Sequence, residues 1–331
     1  MKAILHTRYG PPDLLQLKEV DTPTPKNNEV LIAIRATTVS TGDCNMRNFT
    51  FVTRSMRPLA KLMFGIGKPW KPRILGTELA GEVVGTGKDV TRFKTGDRIV
   101  ASTGMAAGGH AQFACLRENG AVTFKPDSLN WEEAVALPFG ANTALYFLRE
   151  LGQIQAGQAL LIIGASGSIG SAAVQLAKHF GATVTAVCSG ANVDMVKSLG
   201  ADTAIDYTKE DFTRNGETYD LIFDIVGATT FGRCQRSLEP HGVFLQNIMG
   251  VTDMVRILWT SITGGKALKG GVAMENLERL NFIVELATAG TLKPVIDRRY
   301  PLERIAEAFA YVERGHKKGN VVITVGQKDE P

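Results

Sequence analysis

Cysteine is scarce in this chain, and its few copies stand apart. Four occur among 331 residues, Cys44, Cys115, Cys188 and Cys234, and no two form a CxxC pair. That spacing argues against a disulfide framework or a cysteine-based structural zinc site, and it fits a reducing, cytoplasmic setting. Long hydrophobic runs are missing too. No stretch approaches the roughly 18 uninterrupted apolar residues of a membrane span. The opening Met1-Lys2-Ala3-Ile4-Leu5-His6 lacks the apolar core of a secretory leader. A soluble protein is the expectation. Nor is charge of one sign concentrated: 37 Lys and Arg against 33 Asp and Glu leave a net charge of +4, spread along the chain. The basic stripe that nucleic-acid binding needs is therefore absent. What is present is a globular composition, 44% hydrophobic and 21% charged, long enough for two domains.

The first third alternates in the period-2 manner of half-buried strands. Glu29–Thr38 is the longest such run, and residues 81–84 and 97–101 are shorter ones. Turn residues recur closely, among them Gly10-Pro11-Pro12 and Thr22-Pro23-Thr24-Pro25, which predicts a compact, twisted β-domain. Beyond Lys125-Pro126 the texture changes. Asn130 with Glu133 three residues later reads as a capping box. Apolar strands at Ala159–Ile163 and Thr183–Cys188 bracket a helix at Ser168–His179, whose Ile169, Ala172, Ala173 and Leu176 share one face. A helix at 192–199 starts with Asn192 as its cap, and short strands follow at 202–206, 221–226 and 243–248. Unbroken apolar strands joined by helices predict a parallel sheet covered on both faces. After Gly271 come a helix at 275–289, a linker at 294–301, a helix at 302–314 and a final strand at 319–325.

The sharpest chemical signal is Gly164-Ala165-Ser166-Gly167-Ser168-Ile169-Gly170, which leaves an apolar strand and opens a helix. In that context a dinucleotide's pyrophosphate sits on the N–H groups of the helix start, helped by the helix dipole. Gly167 permits close backbone approach, Gly170 lets the helix pack near the strand, and Ala165 takes the first glycine position. A tight turn without a ligand is the plain alternative, outweighed by the agreement of strand, loop, helix and second strand. At the end of that second strand a further absence matters. An NAD-selective site places Asp or Glu there to hold the ribose 2′-OH. Here Cys188-Ser189-Gly190-Ala191-Asn192 carries no acid, and the first is Asp194. Ser189 and Asn192 as uncharged donors tolerate a 2′-phosphate, which points to NADPH. The nearest base in sequence is Lys197.

In order and spacing these segments resemble the medium-chain dehydrogenase/reductases, and within them the zinc-independent quinone oxidoreductase-like branch. The resemblance rests on Met1-Lys2-Ala3 before a proline-rich turn, Leu75-Gly76-Thr77-Glu78-Leu79-Ala80-Gly81-Glu82-Val83, and Phe93-Lys94-Thr95-Gly96-Asp97-Arg98. It continues through Ala136-Leu137-Pro138 with Thr143-Ala144, Gly200-Ala201-Asp202 with Ile205-Asp206-Tyr207, and Gly319-Asn320-Val321-Val322. It implies an α/β protein with a GroES-like β-rich catalytic domain from residues 1–125 and 275–331. A doubly wound parallel-sheet Rossmann domain, residues 126–274, is inserted between those parts. It also implies a homodimer.

Compared with the zinc-dependent members, this chain again lacks something. Ser40 stands where they carry a Cys ligand, Thr77 where they carry a His, and Leu137-Pro138-Phe139-Gly140 offers no third ligand. No zinc or other metal is therefore expected. Without a Lewis acid, the implied chemistry is hydride transfer from NADPH to a small conjugated carbonyl (a quinone, enal or enone), whose charge delocalises as an enolate. The resemblance puts Ser40, Asp43 and Thr143 beside the nicotinamide or substrate, with Asn45 and Arg47 as donors at the mouth of the site. The plainer readings are that Asp43 caps a turn and Arg47 pairs with a surface acid. Implied cofactor contacts are Thr143, the loop residues Gly164, Ala165, Ser166, Gly167, Ser168, Ile169 and Gly170, then Ser189, Asn192, Tyr207, Val226, Gly319 and Asn320. His110, His179, His241 and His316 form no triad and read as structural or surface residues. Two other functions stay open: zinc-free interconversion of alcohols and ketones, and non-catalytic NADPH binding on the same fold. The insert at 49–70 reads as a substrate-side lid, a partner surface or a membrane-surface contact.

Overall fold

The computed structural model describes residues 1–50, 57–71, 73–248 and 250–326. The chain forms two compact units, one of residues 1–139, 275–288 and 294–331, the other of 140–274 and 289–293. The crossing expected at 125/126 thus falls at 139/140, within the Pro138–Leu145 helix. Packing explains the shift. Ala134 and Val135 are buried with Ala36, Ala80, Val100 and Val322, all strand residues of the first unit.

In the first unit a seven-stranded sheet runs Ile296–Pro301, Asn320–Thr324, Glu29–Thr38, Glu78–Thr86, Arg98–Ser102, Val122–Phe124, and Phe113–Arg117 pairs with the start of Glu29–Thr38. Val30, Ile32, Ile34 and Ala36 are buried at every second position of their strand, as the alternation predicts. They belong with Leu79, Val83, Ile99, Phe309 and Ile323 to the unit's buried apolar core, Ala36 excepted, which sits in the cluster around Ala134. The stretch expected as a linker at 294–301 is instead largely the edge strand Ile296–Pro301, paired in parallel with Asn320–Thr324. Its Asp297, Arg298 and Arg299 disguise it, because an edge strand can carry charge without cost to a core. A smaller sheet joins Leu15–Glu19, Lys2–His6 and Arg73–Ile74.

The second unit is built on six parallel strands in the order Thr203–Asp206, Thr183–Cys188, Ala159–Ile163, Tyr219–Asp224, Leu238–Gln246, Ala267–Gly270. This is the doubly wound order, in which the strand order reverses between Ala159–Ile163 and Tyr219–Asp224, the first and fourth of these strands in sequence. Ligands of such sheets lie beyond the C-terminal ends of the strands at that reversal, here after Ile163 and Asp224. The Ser168–His179 helix buries Ala172, Ala173, Val174 and Leu176. The helix expected at 192–199 is split into a 3₁₀ turn at Gly190–Asn192 and an α-helix at Val193–Ser198. Asn192 therefore does not cap it with its side chain. In the turn, its Nδ2 donates back to Ser189 Oγ at 3.2 Å. No helix among the described residues is long and apolar enough to cross a membrane.

Phe223 lies fully buried in the fourth parallel strand, its ring stacked on Phe147 with centroids 4.9 Å apart. Phe223→Ala is expected to cost about 3–5 kcal/mol, from lost burial and the cavity left behind. Urea denaturation checks this, and a cost below about 1 kcal/mol would mean that the strand repacks freely.

Candidate functional site

The glycine loop of the second unit is held by backbone bonds, since the Gly164 and Ala165 amides both donate to the Val187 carbonyl at 3.1 Å. Gly164 has φ +85°, and a Cβ there would lie 2.7 Å from Val226 Cγ1. A Cβ on Gly170 would lie 2.2 Å from the Gly164 carbonyl oxygen, so only glycine lets the helix come this close to the loop. Gly167 is different. Its Cβ would meet nothing nearer than the Gly164 oxygen at 3.7 Å. Gly167 is also the N-cap of the Ser168–His179 helix, and no side chain caps it. A positive helix end facing open space, with no side chain in the way, fits a pyrophosphate.

The other expected contacts of this unit gather at the same edge of the sheet. Val226 is half exposed after the fourth strand, in a turn organised by Asp224, which the sequence reading passed over. The Asp224 carboxylate is fully buried. Its Oδ1 accepts from the amides of Val226, Gly227 and Ala228 at 3.1, 2.8 and 3.2 Å, and its Oδ2 from that of Thr229 at 2.9 Å. An acid ending an apolar strand three residues before Gly227 was the available signal. At the tip of the second strand the Tyr207 amide donates to the Cys188 carbonyl at 3.1 Å, and the Tyr207 side chain is exposed. Asn192 Oδ1 is buried with no partner among the described residues. The acid beside this turn is Asp206, bound at Oδ1 by the Thr208 amide and hydroxyl at 3.1 and 2.8 Å. Lys209 Nζ stands 3.7 Å from its Oδ2, so a cation that linear spacing missed does reach the strand tip. Thr143 lies largely buried on the Pro138–Leu145 helix.

In the first unit, Ser40, Asp43, Asn45 and Arg47 all belong to the start or body of one helix, Thr41–Asn48. Ser40 and Asp43 form its capping box: the Asp43 amide donates to Ser40 Oγ at 3.1 Å, and Asp43 Oδ2 accepts from the Ser40 amide and hydroxyl at 2.8 and 2.6 Å. Asp43 Oδ1 also takes the Gly76 amide at 3.2 Å. The plain capping reading of Asp43 is the one the geometry bears out. Asn45 Oδ1 accepts from the Thr50 hydroxyl at 2.8 Å. Arg47, expected at the mouth of the site, is corrected by the structure. Its side chain is 1% exposed, its guanidinium pairs with Glu313 and Asn48, and it lies over the Phe309 ring at 5.2 Å. A charge placed in a core needs such a partner, and Glu313 lies 266 residues away in sequence. Asn320 Nδ2 donates to the Ala136 and Val295 carbonyls, both at 3.1 Å, which anchors this side chain within the first unit. Gly319 precedes it and accepts Lys317 Nζ at 2.5 Å.

Glu78 is the buried group that the sequence reading left without a role. It is 1% exposed, Thr38 Oγ1 donates to its Oε1, and the Phe139 amide donates to its Oε2 at 2.7 Å. Burial pushes its carboxyl up to about 7 against the pull of those two bonds, with the Asp43 charge adding to the rise. Burial also lowers Lys317 to about 8, partly offset by Glu78 and Asp297. His110, fully buried, holds the Thr38 carbonyl through Nε2 at 2.8 Å and meets Phe309 edge-on, which makes it structural. His179, His241 and His316 are exposed. Burial raises the Cys44 thiol to about 12, so it is inert as a thiolate. Among the described residues, no three His, Cys, Asp or Glu side chains are grouped so that they could hold a metal.

Residues 26–127 match the alcohol dehydrogenase GroES-like domain family, and residues 199–323 match the zinc-binding dehydrogenase family. The chain is 33% identical over 335 residues to a chloroplastic quinone-oxidoreductase homolog of Spinacia oleracea, covering 98% of each protein. It is 32% identical over 336 residues to a chloroplastic NADPH-dependent alkenal/one oxidoreductase of Arabidopsis thaliana, covering 98% of this chain and 79% of that one. Among solved structures, the quinone oxidoreductase from Coxiella burnetii superposes with a TM-score of 0.86 at 27% identity, covering 98% of this chain and 99% of that one.

Glu78 makes stability depend on pH. Its folded value of about 7 exceeds the ordinary 4.5, so between these limits the folded protein holds a proton that the unfolded chain has released. Stability therefore falls as pH rises through this window. Glu78→Gln removes that slope, about 1.4 kcal/mol per pH unit, on the order of 3 kcal/mol across the window. Urea unfolding of both proteins from pH 4.5 to 7 measures it, and parallel curves would contradict the buried neutral carboxyl.

Proposed function

The chain belongs to the medium-chain dehydrogenase/reductases, in their zinc-independent quinone oxidoreductase-like branch, and from that premise we propose that it reduces small conjugated carbonyl compounds with NADPH. The observation that carries this reading is the open space over Gly167 at an uncapped helix start. When bound there, NADPH supplies a hydride. The protein's part is to hold and to orient. Backbone amides from Ser168 to Gly170 would hold the pyrophosphate over the open space at Gly167, with Ala165, Ser166, Ser168 and Ile169 shaping the loop. Ser189 and Asn192 offer a 2′-phosphate uncharged hydrogen-bonding groups, Lys209 is the cation at the strand tip, paired with Asp206, and the exposed Tyr207 ring covers the adenosine end. Asp224 fixes the backbone of Val226, which supports a firm wall for the nicotinamide.

On the substrate side of the first unit we propose Asn45 as the polar contact. Ser40 and Asp43 act as positioning residues, since the Ser40 proton is committed to Asp43. A conjugated carbonyl suits this set. Hydride addition at the β-carbon leaves an enolate that neutral donors stabilise, and water protonates it. The names of the spinach and Arabidopsis relatives point to the same class, quinones and alkenals or alkenones. We propose that the reaction needs no zinc, because Ser40 and Thr77 supply only hydroxyls and residues 137–140 supply no ligand. The family matched at 199–323 is named for zinc binding, and Ser40, Thr77 and residues 137–140 lie outside that match. Four free cysteines, three of them buried, support a reducing compartment such as the cytosol. A homodimer remains a proposal from family likeness, supported by the edge strand Ala267–Gly270.

Chelator-treated protein is expected to oxidise NADPH when given a quinone or an enal. Gly167→Val should remain folded, since the new Cβ meets only the Gly164 oxygen at 3.7 Å, yet lose NADPH binding as followed by fluorescence quenching. Unchanged affinity in that folded variant would refute the phosphate loop. Activity lost on chelation and restored by zinc would refute the metal-free reaction.

A further inference from the structure

The even spread of charge expected from composition fails in one stretch: between Cys44 and Thr77 the chain carries seven Lys and Arg residues and no Asp or Glu, against a net charge of +4 for the whole sequence. Arg47 is buried with Glu313, but Lys61, Lys68, Lys71 and Arg73 are exposed, and none of them has an acid partner among the described residues. The same stretch shows apolar bulk to solvent. Leu59, Leu62, Met63, Ile66 and Trp70 are each 61% to 70% exposed. They stand on the Arg57–Phe64 helix and the turn after it, a segment fixed to its unit. Tyr9 Oη donates to the Phe64 carbonyl at 2.9 Å, the Tyr9 amide donates to the Gly67 carbonyl at 3.2 Å, and the Phe64 ring packs 6.4 Å from that of Phe49. Trp70 Nε1 donates to the Met63 carbonyl at 3.0 Å, so the ring can enter an apolar phase without stranding its one donor. Beside Trp70 an open groove is lined by Arg8, Lys18 and Lys68, with no acid in its lining.

We infer that residues 57–71 seat the protein on the surface of an anionic phospholipid bilayer. The exposed Leu, Met, Ile and Trp side chains enter the boundary of the acyl chains, and the surrounding Lys and Arg residues meet headgroup phosphates. This combination of an apolar face, basic flanks and an interfacial tryptophan is what holds a helix in the plane of a membrane. Charge decides between this surface and the other exposed apolar helix, Val251–Thr263. That helix shows Met254, Leu258, Trp259 and Ile262, but its charges are one Asp253 and one Arg256, 3.7 Å apart. With no net charge it has no complement to an anionic surface.

Vesicle co-sedimentation tests the inference without any need for turnover, and so apart from the proposed reaction. The full chain is expected to sediment with vesicles of phosphatidylcholine mixed with phosphatidylglycerol, to ignore phosphatidylcholine alone, and to be released by salt. Leu62→Glu and Lys68→Glu, both at exposed positions, should each lower the partition by about tenfold or more. Both should keep wild-type kcat and KM on a short, water-soluble quinone. Equal binding to both vesicle types, or variants that bind like wild type, would overturn the inference. A raised KM for the soluble quinone in Leu62→Glu, with vesicle binding intact, would overturn it in favour of a substrate lid.

Discussion

The close approach of one helix to one strand is the constraint on which the nucleotide-binding unit depends. Gly170 lies so near the Gly164 carbonyl that a single methyl group would push the Ser168–His179 helix off the sheet. That contact aims the helix start at the end of the first strand, where Gly167 leaves the space open. It also leaves room for Val226, whose methyl would touch any side chain at position 164. Asp224 then locks the Val226 turn with four amide bonds. Two glycines and one buried carboxylate thus set the backbone geometry of the loop proposed to hold the cofactor's pyrophosphate.

The first unit solves a related problem in its own way. In zinc-dependent members of the superfamily, a metal would join the segments that here carry Ser40, Thr77 and residues 137–140. Buried acidic side chains join those segments in this chain. Asp43 ties Ser40 to Gly76, and Glu78 ties Thr38 to the Phe139 amide. Hydrogen bonds from neutral and backbone donors satisfy both acids, as burial requires. The metal's positioning role can pass to them, while its Lewis-acid role cannot. On the proposed metal-free reaction, the chemistry shifts toward carbonyls that conjugation has already activated.

How much of this was legible in the sequence depends on how local each signal is. Glu29–Thr38, Ala159–Ile163, Ser168–His179 and Thr183–Cys188 have the bounds that periodicity predicted, because their burial patterns lie in consecutive residues. The Asn130 and Glu133 capping box also formed as read. The Thr41–Asn48 helix was missed because it is short and polar and carries Gly42, so its start rests on a cap rather than on an apolar stripe. That Arg47 pairs with an acid was one of its readings, but its burial, its partner Glu313 and its stacking ring Phe309 could not be read, since both come from the far end of the chain. The two carbonyls that Asn320 holds were not legible either, since only the folded sheet brings them within reach. Residues 51–56 of the 49–70 insert lie outside the described residues, and the remainder shows charge and exposure that composition alone had not separated from a lid.

The central claim is hydride delivery to a carbon conjugated with a carbonyl, by a protein that uses neutral groups in place of a metal. The most direct measurement supplies NADPH carrying deuterium in the transferable C4 position, together with an enone that offers both reducible bonds. NMR of the product then locates the label. Deuterium on the β-carbon of a saturated ketone, with the carbonyl intact, is the predicted result. Deuterium on the carbinol carbon of an unsaturated alcohol would contradict the account and place this chain among the alcohol dehydrogenases in chemistry as well as in fold.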